Sequence, residues 1–118
     1  MAVCDICSMP MDFNSGYALT TKQVTTEKNY WDYMLEAHSF SDDGILLMYV
    51  QQQAMQRSGW LVCESCSTKF IFDRIKAKEY ASLKKDPPGS GPVEVEQVAA
   101  AAAAAWKSKY GSFPSWVR

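Results

Sequence analysis

Two short stretches decide how this chain is read: Cys4-Asp5-Ile6-Cys7 near its start and Cys63-Glu64-Ser65-Cys66 past its middle. They hold all four of its cysteines, so no thiol is left over. A C-x-x-C spacing lets two thiolates turn toward one ion, and two such pairs supply the ligands of a closed tetrahedral site. One structural Zn2+ held by Cys4, Cys7, Cys63 and Cys66 is therefore the expected cofactor. Four protein ligands leave no open position for water, which argues against zinc catalysis. A redox dithiol pair or an iron centre is the alternative for the same residues. Met9-Pro10-Met11 beside the first pair raises a soft Cu(I) site, against the commoner use of methionine as core filler.

Outward from the first pair, residues 1–12 read as a metal knuckle, with Pro10 favouring an extended exit. Gly16 to Thr26 is crowded with β-branched and aromatic residues and reads as a strand. Asn29 then suits the cap of a helix from Tyr30 to His38. On it Tyr30, Met34 and Ala37 or His38 share one face, while Trp31 and Leu35 form a second pair. His38, the only histidine, reads as a cation at a helix end rather than a ligand. Ser39 to Gly44 is a polar turn. Ile45 to Arg57 combines a run that suits a buried strand with a glutamine-rich half that suits a helix. The spacing of Leu46, Val50 and Ala54 decides for a helix, ended by Ser58-Gly59.

Outward from the second pair, Trp60-Leu61-Val62 reads as a short strand entering Cys63. Ser67 suits the cap of a long helix reaching Lys85, where Asp86-Pro87-Pro88 stops it. Its main apolar face is expected to be Ile71, Phe72, Ile75 and Leu83, with Phe70, Ala77 and Ala81 forming a second strip. Residues 87–92 are a proline- and glycine-rich linker. Val93 to Tyr110 is a further helix, with Glu94 and Glu96 at its positive end and Lys107 and Lys109 at its negative end. Gly111 lies just past it. Its seven central alanines bring little apolar area but allow close approach, either to its own domain or to a second copy of the chain in a homodimer. Val95, Val98, Trp106 and Tyr110 would supply the contacts. Phe113-Pro114-Ser115-Trp116 is an unusually aromatic tail.

The order knuckle, β-rich segment, second C-x-x-C and helix resembles the treble-clef arrangement of zinc fingers, from Cys4 to about Lys85. The resemblance implies an α+β fold: residues 1–86 as a zinc-stabilised domain of knuckle, hairpin and helices with a helical insertion at 29–58. Linker 87–92 and an alanine-rich helix with its tail, 93–118, would follow. A thiolate at a helix start is expected to gain from the positive pole, lowering the pKa of Cys66. Amides of Ser65 to Thr68 are expected to donate to sulfur. The metal is expected to be a condition for folding of the N-terminal two-thirds.

Composition narrows the function classes. Hydrophobic residues at 47% and charged ones at 21% fit an ordinary globular domain, and a formal net charge of −1 gives no general attraction to phosphate. No apolar run nears the roughly 20 residues that span a bilayer, so no membrane role is expected. The opening lacks the pattern of a secretory signal, which points to the cytoplasm, where thiols stay reduced. No Ser-His-Asp, phosphate-loop or H-E-x-x-H pattern is present, so an enzyme is not expected. The leading expectation is a non-enzymatic zinc-binding module for protein interaction or scaffolding, with Trp106, Tyr110 and Trp116 as partner contacts. Segment 69–85 holds half of the chain's twelve basic residues. That bias makes a nucleic-acid-binding finger, using Lys69, Arg74, Lys76 and Lys78 on the helix 67–85, the first alternative. A thiol-based redox sensor is the second.

Overall fold

A computed structural model of the chain describes residues 2–12, 15–56, 58–83 and 91–117. A minimal hairpin opens it, β1 (Ala2–Val3) paired antiparallel with β2 (Pro10–Met11), with Val3 opposite Pro10. The second sheet pairs β3 (Tyr17–Leu19) with β4 (Trp60–Val62), also antiparallel, and sets Leu19 opposite Trp60. Gly16 enters β3 at a crowded point: a Cβ there would stand 1.9 Å from Met11 Cε, so that methionine would have to shift, and 3.1 Å from the Val62 carbonyl oxygen.

The strand expected over 16–26 ends at Leu19. Thr20 turns the chain into a helix, α1 (Thr21–Thr25), through a capping box. Its hydroxyl accepts from the Gln23 amide at 3.1 Å, and its own amide donates to Gln23 Oε1 at 2.8 Å. The threonines that suggest a strand instead place hydroxyls where helix and core need them. Buried Thr25 donates to the Thr21 carbonyl, while Thr21 donates to the Gln56 carbonyl and accepts from Trp60 Nε1 at 3.1 Å. The buried hydroxyls of Thr21 and Thr25 and the Trp60 indole N–H are thereby satisfied.

The next helix, α2 (Lys28–Ala37), starts two residues earlier than expected, with Glu27 rather than Asn29 at its N-cap. Asn29 lies within it, and its side-chain amide donates to the Lys69 carbonyl at 3.3 Å. Tyr30, Trp31, Met34 and Leu35 are buried as expected, but Ala37 and His38 are exposed. Trp31 is fully enclosed and keeps its indole N–H satisfied by the Thr25 carbonyl at 2.8 Å. Tyr30 meets Trp31 and Trp60 edge to face at 5.2 and 5.5 Å. The helix expected over 45–57 is α3 (Asp43–Ala54), capped by Asp42, whose carboxylate accepts from the Ile45 amide. Leu46, Val50 and Ala54 form its buried stripe, and it stops before Ser58-Gly59, with Met55 as C-cap.

Of the helix expected over 67–85, the described residues form only 74–83, and a separate single turn comes before it. A single turn, α4 (Glu64–Ser67), is capped by Cys63 instead of Ser67. Chain direction then changes, and α5 (Arg74–Leu83) begins where Asp73 Oδ1 accepts from the amides of Ile75 and Lys76, both at 3.1 Å. The break reverses the expected faces. Phe70, Ala77 and Ala81 are buried and seat α5 against β3, while Ile71 and Ile75 stand in solvent. The end expected at Lys85 and most of the linker 87–92 lie outside the described residues.

The alanine helix, α6 (Val95–Tyr110), packs most extensively on α2 and also on α3 and α1. Val98, Ala101, Ala102, Ala103 and Ala105 are buried, so the alanine face is covered within the chain. Lys109 Nζ reaches the Leu35 carbonyl at 2.6 Å, and Gly111, at φ 86°, ends the helix by donating to the Lys107 carbonyl. The tail folds back over the start of α3: Ser115 donates its amide to Asp43 Oδ2 at 2.6 Å and Trp116 its indole N–H to the Asp43 carbonyl at 2.7 Å. Those Ser115 hydrogen bonds hold the Asp43 carboxyl below the usual carboxylate range. The result is an α+β domain of helices and short two-stranded sheets. Among the described residues no helix is long and apolar enough to cross a membrane.

The alanine face yields a test. Ala102 is fully buried and Ala100 exposed on the same helix. Ala102→Leu is expected to destabilise the domain by about 1–3 kcal/mol through overpacking, and Ala100→Leu to leave stability within about 0.5 kcal/mol. Urea unfolding followed by tryptophan fluorescence separates the two.

Candidate metal centre

The local sequence makes each half of the centre. Between β1 and β2 the chain closes tightly: the Cys4 amide donates to the Met9 carbonyl and the Ser8 amide to the Cys4 carbonyl, both at 3.0 Å. Ser8 is at φ 63°, the left-handed conformation that ends the turn and carries Cys7 back toward Cys4. On the other side β4 delivers Cys63 to the N-cap of α4, where its sulfur accepts from the Cys66 amide at 3.5 Å. Ser67 and Thr68 lock that turn by donating their hydroxyls to the carbonyls of Glu64 and Ser65.

Asp5 joins the halves. Its amide donates to the Leu61 carbonyl at 2.8 Å, and its carboxylate accepts from the Leu61 amide at 2.7 Å. This two-way clamp sets the knuckle beside β4, and the Cys63 amide donates across the junction to Cys4 Sγ at 3.3 Å. Nothing in the spacing of the sequence distinguishes Asp5 from any residue between two cysteines. Only the pairing with β4 reveals it.

The four sulfurs lie within 4.8 Å of one another, with Cys7 Sγ and Cys63 Sγ 3.7 Å apart. Four sulfurs at about 2.3 Å from a central ion in a tetrahedron are separated by about 3.8 Å, whereas a disulfide requires about 2.05 Å. All four thiols are free. The cluster can therefore hold one metal ion. Cys4 and Cys66 are buried, while Cys7 and Cys63 are partly exposed.

Electrostatics explain why such a cluster needs a cation. Burial acts against the Cys4 thiolate, but hydrogen bonds from the backbone of Cys63, Cys7 and Ile6 outweigh it and hold that thiol below the ordinary cysteine range. Burial pushes the Cys66 thiol up, and the side chains of Cys63 and Cys7 and the negative charge of Cys4 push it further. Cys7 is also raised, chiefly by burial. The expectation that the helix start lowers Cys66 is thus overturned. A four-residue α4 offers little dipole, and neighbouring sulfurs cannot all be negative without a positive ion among them. Of the amides expected to donate to sulfur, that of Cys66 does so. Those of Ile6 and Cys63 add donors to Cys4.

Tyr33 and Lys69 border the centre; the sequence marks Lys69 only as a nucleic-acid contact, and Tyr33 looks there like one more helix aromatic. Burial and then the charges of Cys7, Cys66 and Cys4 raise the Tyr33 phenol, and Lys69 Nζ sits 4.8 Å from the centre of its ring. The basic residues marked for nucleic acid differ in their surroundings. Lys69 is taken up on Tyr33, and Arg74 lies 5.5 Å from the rings of both Tyr17 and Phe72. Lys76 and Lys78 are exposed on α5. Of the residues marked for a partner, Trp106 is partly buried and stacks on the exposed Tyr110 at 4.3 Å, and Trp116 is hydrogen-bonded to α3.

The clamp predicts a measurable loss. Asp5→Ala removes a charged acceptor and leaves the Leu61 amide unpaired, so metal affinity is expected to fall by roughly 10- to 100-fold while stoichiometry is kept. Competition with a chromophoric chelator measures this.

No protein-family model, curated protein or solved structure matches this chain.

Proposed function

We propose that this chain is a non-enzymatic zinc-binding module of the cytoplasm that serves as a scaffold for contact with another protein. The observation that carries the reading is the set of four free sulfurs within 4.8 Å of one another, two on a hairpin turn and two on a capped helical turn. Zinc is the assignment because an all-thiolate tetrahedron suits it, and because zinc, unlike iron or Cu(I), brings no redox chemistry that a scaffold would have to restrain. A treble-clef-like likeness is supported by the hairpin knuckle and by the placement of Cys63 and Cys66 at a helix start. In this chain that helix is a single turn.

The role of the ion is to tie the knuckle to β4. Apparent binding free energies of structural zinc, on the order of 10–16 kcal/mol, are as large as the whole stability of a domain. Trp31, Leu46, Val50, Val98 and Ala102 belong to one buried cluster with Cys4 and Cys66, but α6 also packs directly on α2 and α3, which gives those helices a source of stability besides the sulfurs. The metal's influence is greatest in the knuckle, in β3 and β4, and in α4.

A second reading has one observation behind it. Cys7 and Cys63 are partly exposed with sulfurs 3.7 Å apart, a pair that mild oxidation can join with release of the ion.

Chelation separates these readings. A strong chelator is expected to lower the melting temperature by more than about 10 °C and to collapse the amide dispersion of residues 4–12 and 60–68, while α2 and α6 keep theirs. Identical spectra and melting with and without chelator would refute the structural role. Stoichiometric, reversible zinc release by micromolar peroxide under otherwise native conditions would favour the sensor.

A further inference from the structure

Where α2, α3, the knuckle and β4 meet, the structure leaves an open hollow of about 330 Å3. Helical spacing builds two of its walls. Tyr30, Met34 and His38 recur every fourth residue along α2 and its C-cap, and Tyr49 and Gln53 stand one turn apart on α3. Asp5 of the knuckle and Trp60 of β4 are among the residues that complete the lining.

Two polar groups of this lining are unmatched. Gln53 Oε1 is buried and has no hydrogen-bond partner among the described residues. Tyr30 is 2% exposed, and its hydroxyl has no partner among the described residues either, whereas the indole N–H groups of its neighbours Trp31 and Trp60 are both taken up. Burial pushes the Tyr30 phenol well above its usual range, so the group keeps its proton and can donate. Buried polar groups in folded chains are nearly always paired, and an unmet donor beside an unmet acceptor costs stability that a bound molecule can restore.

The complement of these groups defines the ligand. It has to donate to Gln53 and accept from Tyr30, which an amide does with its N–H and its carbonyl. The rings of Tyr30, His38, Tyr49 and Trp60 line the same hollow and favour a flat body. Charge disfavours an anion, since the described lining residues include no lysine or arginine and Asp5 brings a carboxylate. A volume near the lower end of ordinary ligand pockets, roughly 300–1,000 Å3, suits one or two rings rather than a long chain.

We propose that the hollow binds a small, neutral, planar cyclic amide, the class to which uracil and other lactam-edged bases belong, with Tyr30 donating to its carbonyl and Gln53 accepting from its N–H. This is a small-molecule site in addition to the scaffold role, and it depends on neither the identity of the metal nor that of a protein partner.

The probes are uracil and N,N′-dimethyluracil, which keeps the ring and both carbonyls but has no N–H. Each is titrated into the zinc-loaded full chain and followed by amide and aromatic NMR. Uracil is expected to give saturable shifts centred on Tyr30, Tyr49 and Gln53, with a roughly millimolar Kd suited to so small a molecule. Dimethyluracil is expected to bind about tenfold more weakly or worse, because it leaves the Gln53 oxygen unpaired. Gln53→Leu is expected to erase the preference between the probes, and a preference that survives it would overturn the assignment. Tyr30→Phe, which keeps the ring against Trp31 and Trp60, is expected to weaken uracil about tenfold. Equal binding of the two probes to the unaltered chain, shifts centred elsewhere, or no shifts would overturn the site whether or not the variants fold. Tighter binding of uridine monophosphate than of uridine would overturn its preference for a neutral ligand.

Discussion

Four sulfurs that crowd within 4.8 Å of one another cannot all carry negative charge unless a cation stands among them, and this constraint organises the first half of the molecule. Backbone amides already favour charge on Cys4, while burial and the neighbouring sulfurs oppose it on Cys66. The protein supplies geometry and part of the solvation, and a cation held among the sulfurs would supply the rest. The Asp5 clamp on Leu61 holds the two turns at a spacing close to the edge of a tetrahedron, so the ion meets a site with little left to arrange.

Around that centre the chain divides its tasks. The helices α2, α3 and α6 enclose Trp31, Leu46 and Val98 in a core that alanine makes possible by letting α6 lie close to α2. The β3–β4 pair joins this core to the sulfur cluster: Trp60 on β4 reaches Tyr30 on α2, and Val62 leads directly to Cys63. On its other side the pair carries α5. The helix α5 is therefore held by a two-stranded sheet with the sulfur cluster at one end.

Much of this was legible in the residues, and the failures have physical causes. The convergence of the four sulfurs was readable because paired C-x-x-C spacings have few other uses, and the stripe Leu46, Val50, Ala54 identified α3 against a strand-like run. The capping box of Thr20 and Gln23 was present but hidden by β-branched neighbours, since propensity yields to satisfied amides at a helix start. The helix expected from Ser67 starts only at Arg74 because Asp73 accepts from the amides of Ile75 and Lys76, a local start signal that the apolar pattern around it hides, and Ile71 and Ile75 are left exposed. Asp5 and Tyr33 could not be identified at all, because their roles depend on residues distant in sequence that only the fold brings near.

The central claim is that Cys4, Cys7, Cys63 and Cys66 share one zinc ion. X-ray absorption at the zinc edge, on the full chain purified under reducing conditions, measures this directly. The account predicts one zinc per chain with four sulfur neighbours at about 2.3 Å and no nitrogen or oxygen in the shell. Substoichiometric metal, a mixed nitrogen or oxygen shell, or cysteines paired as disulfides in the native protein would contradict it.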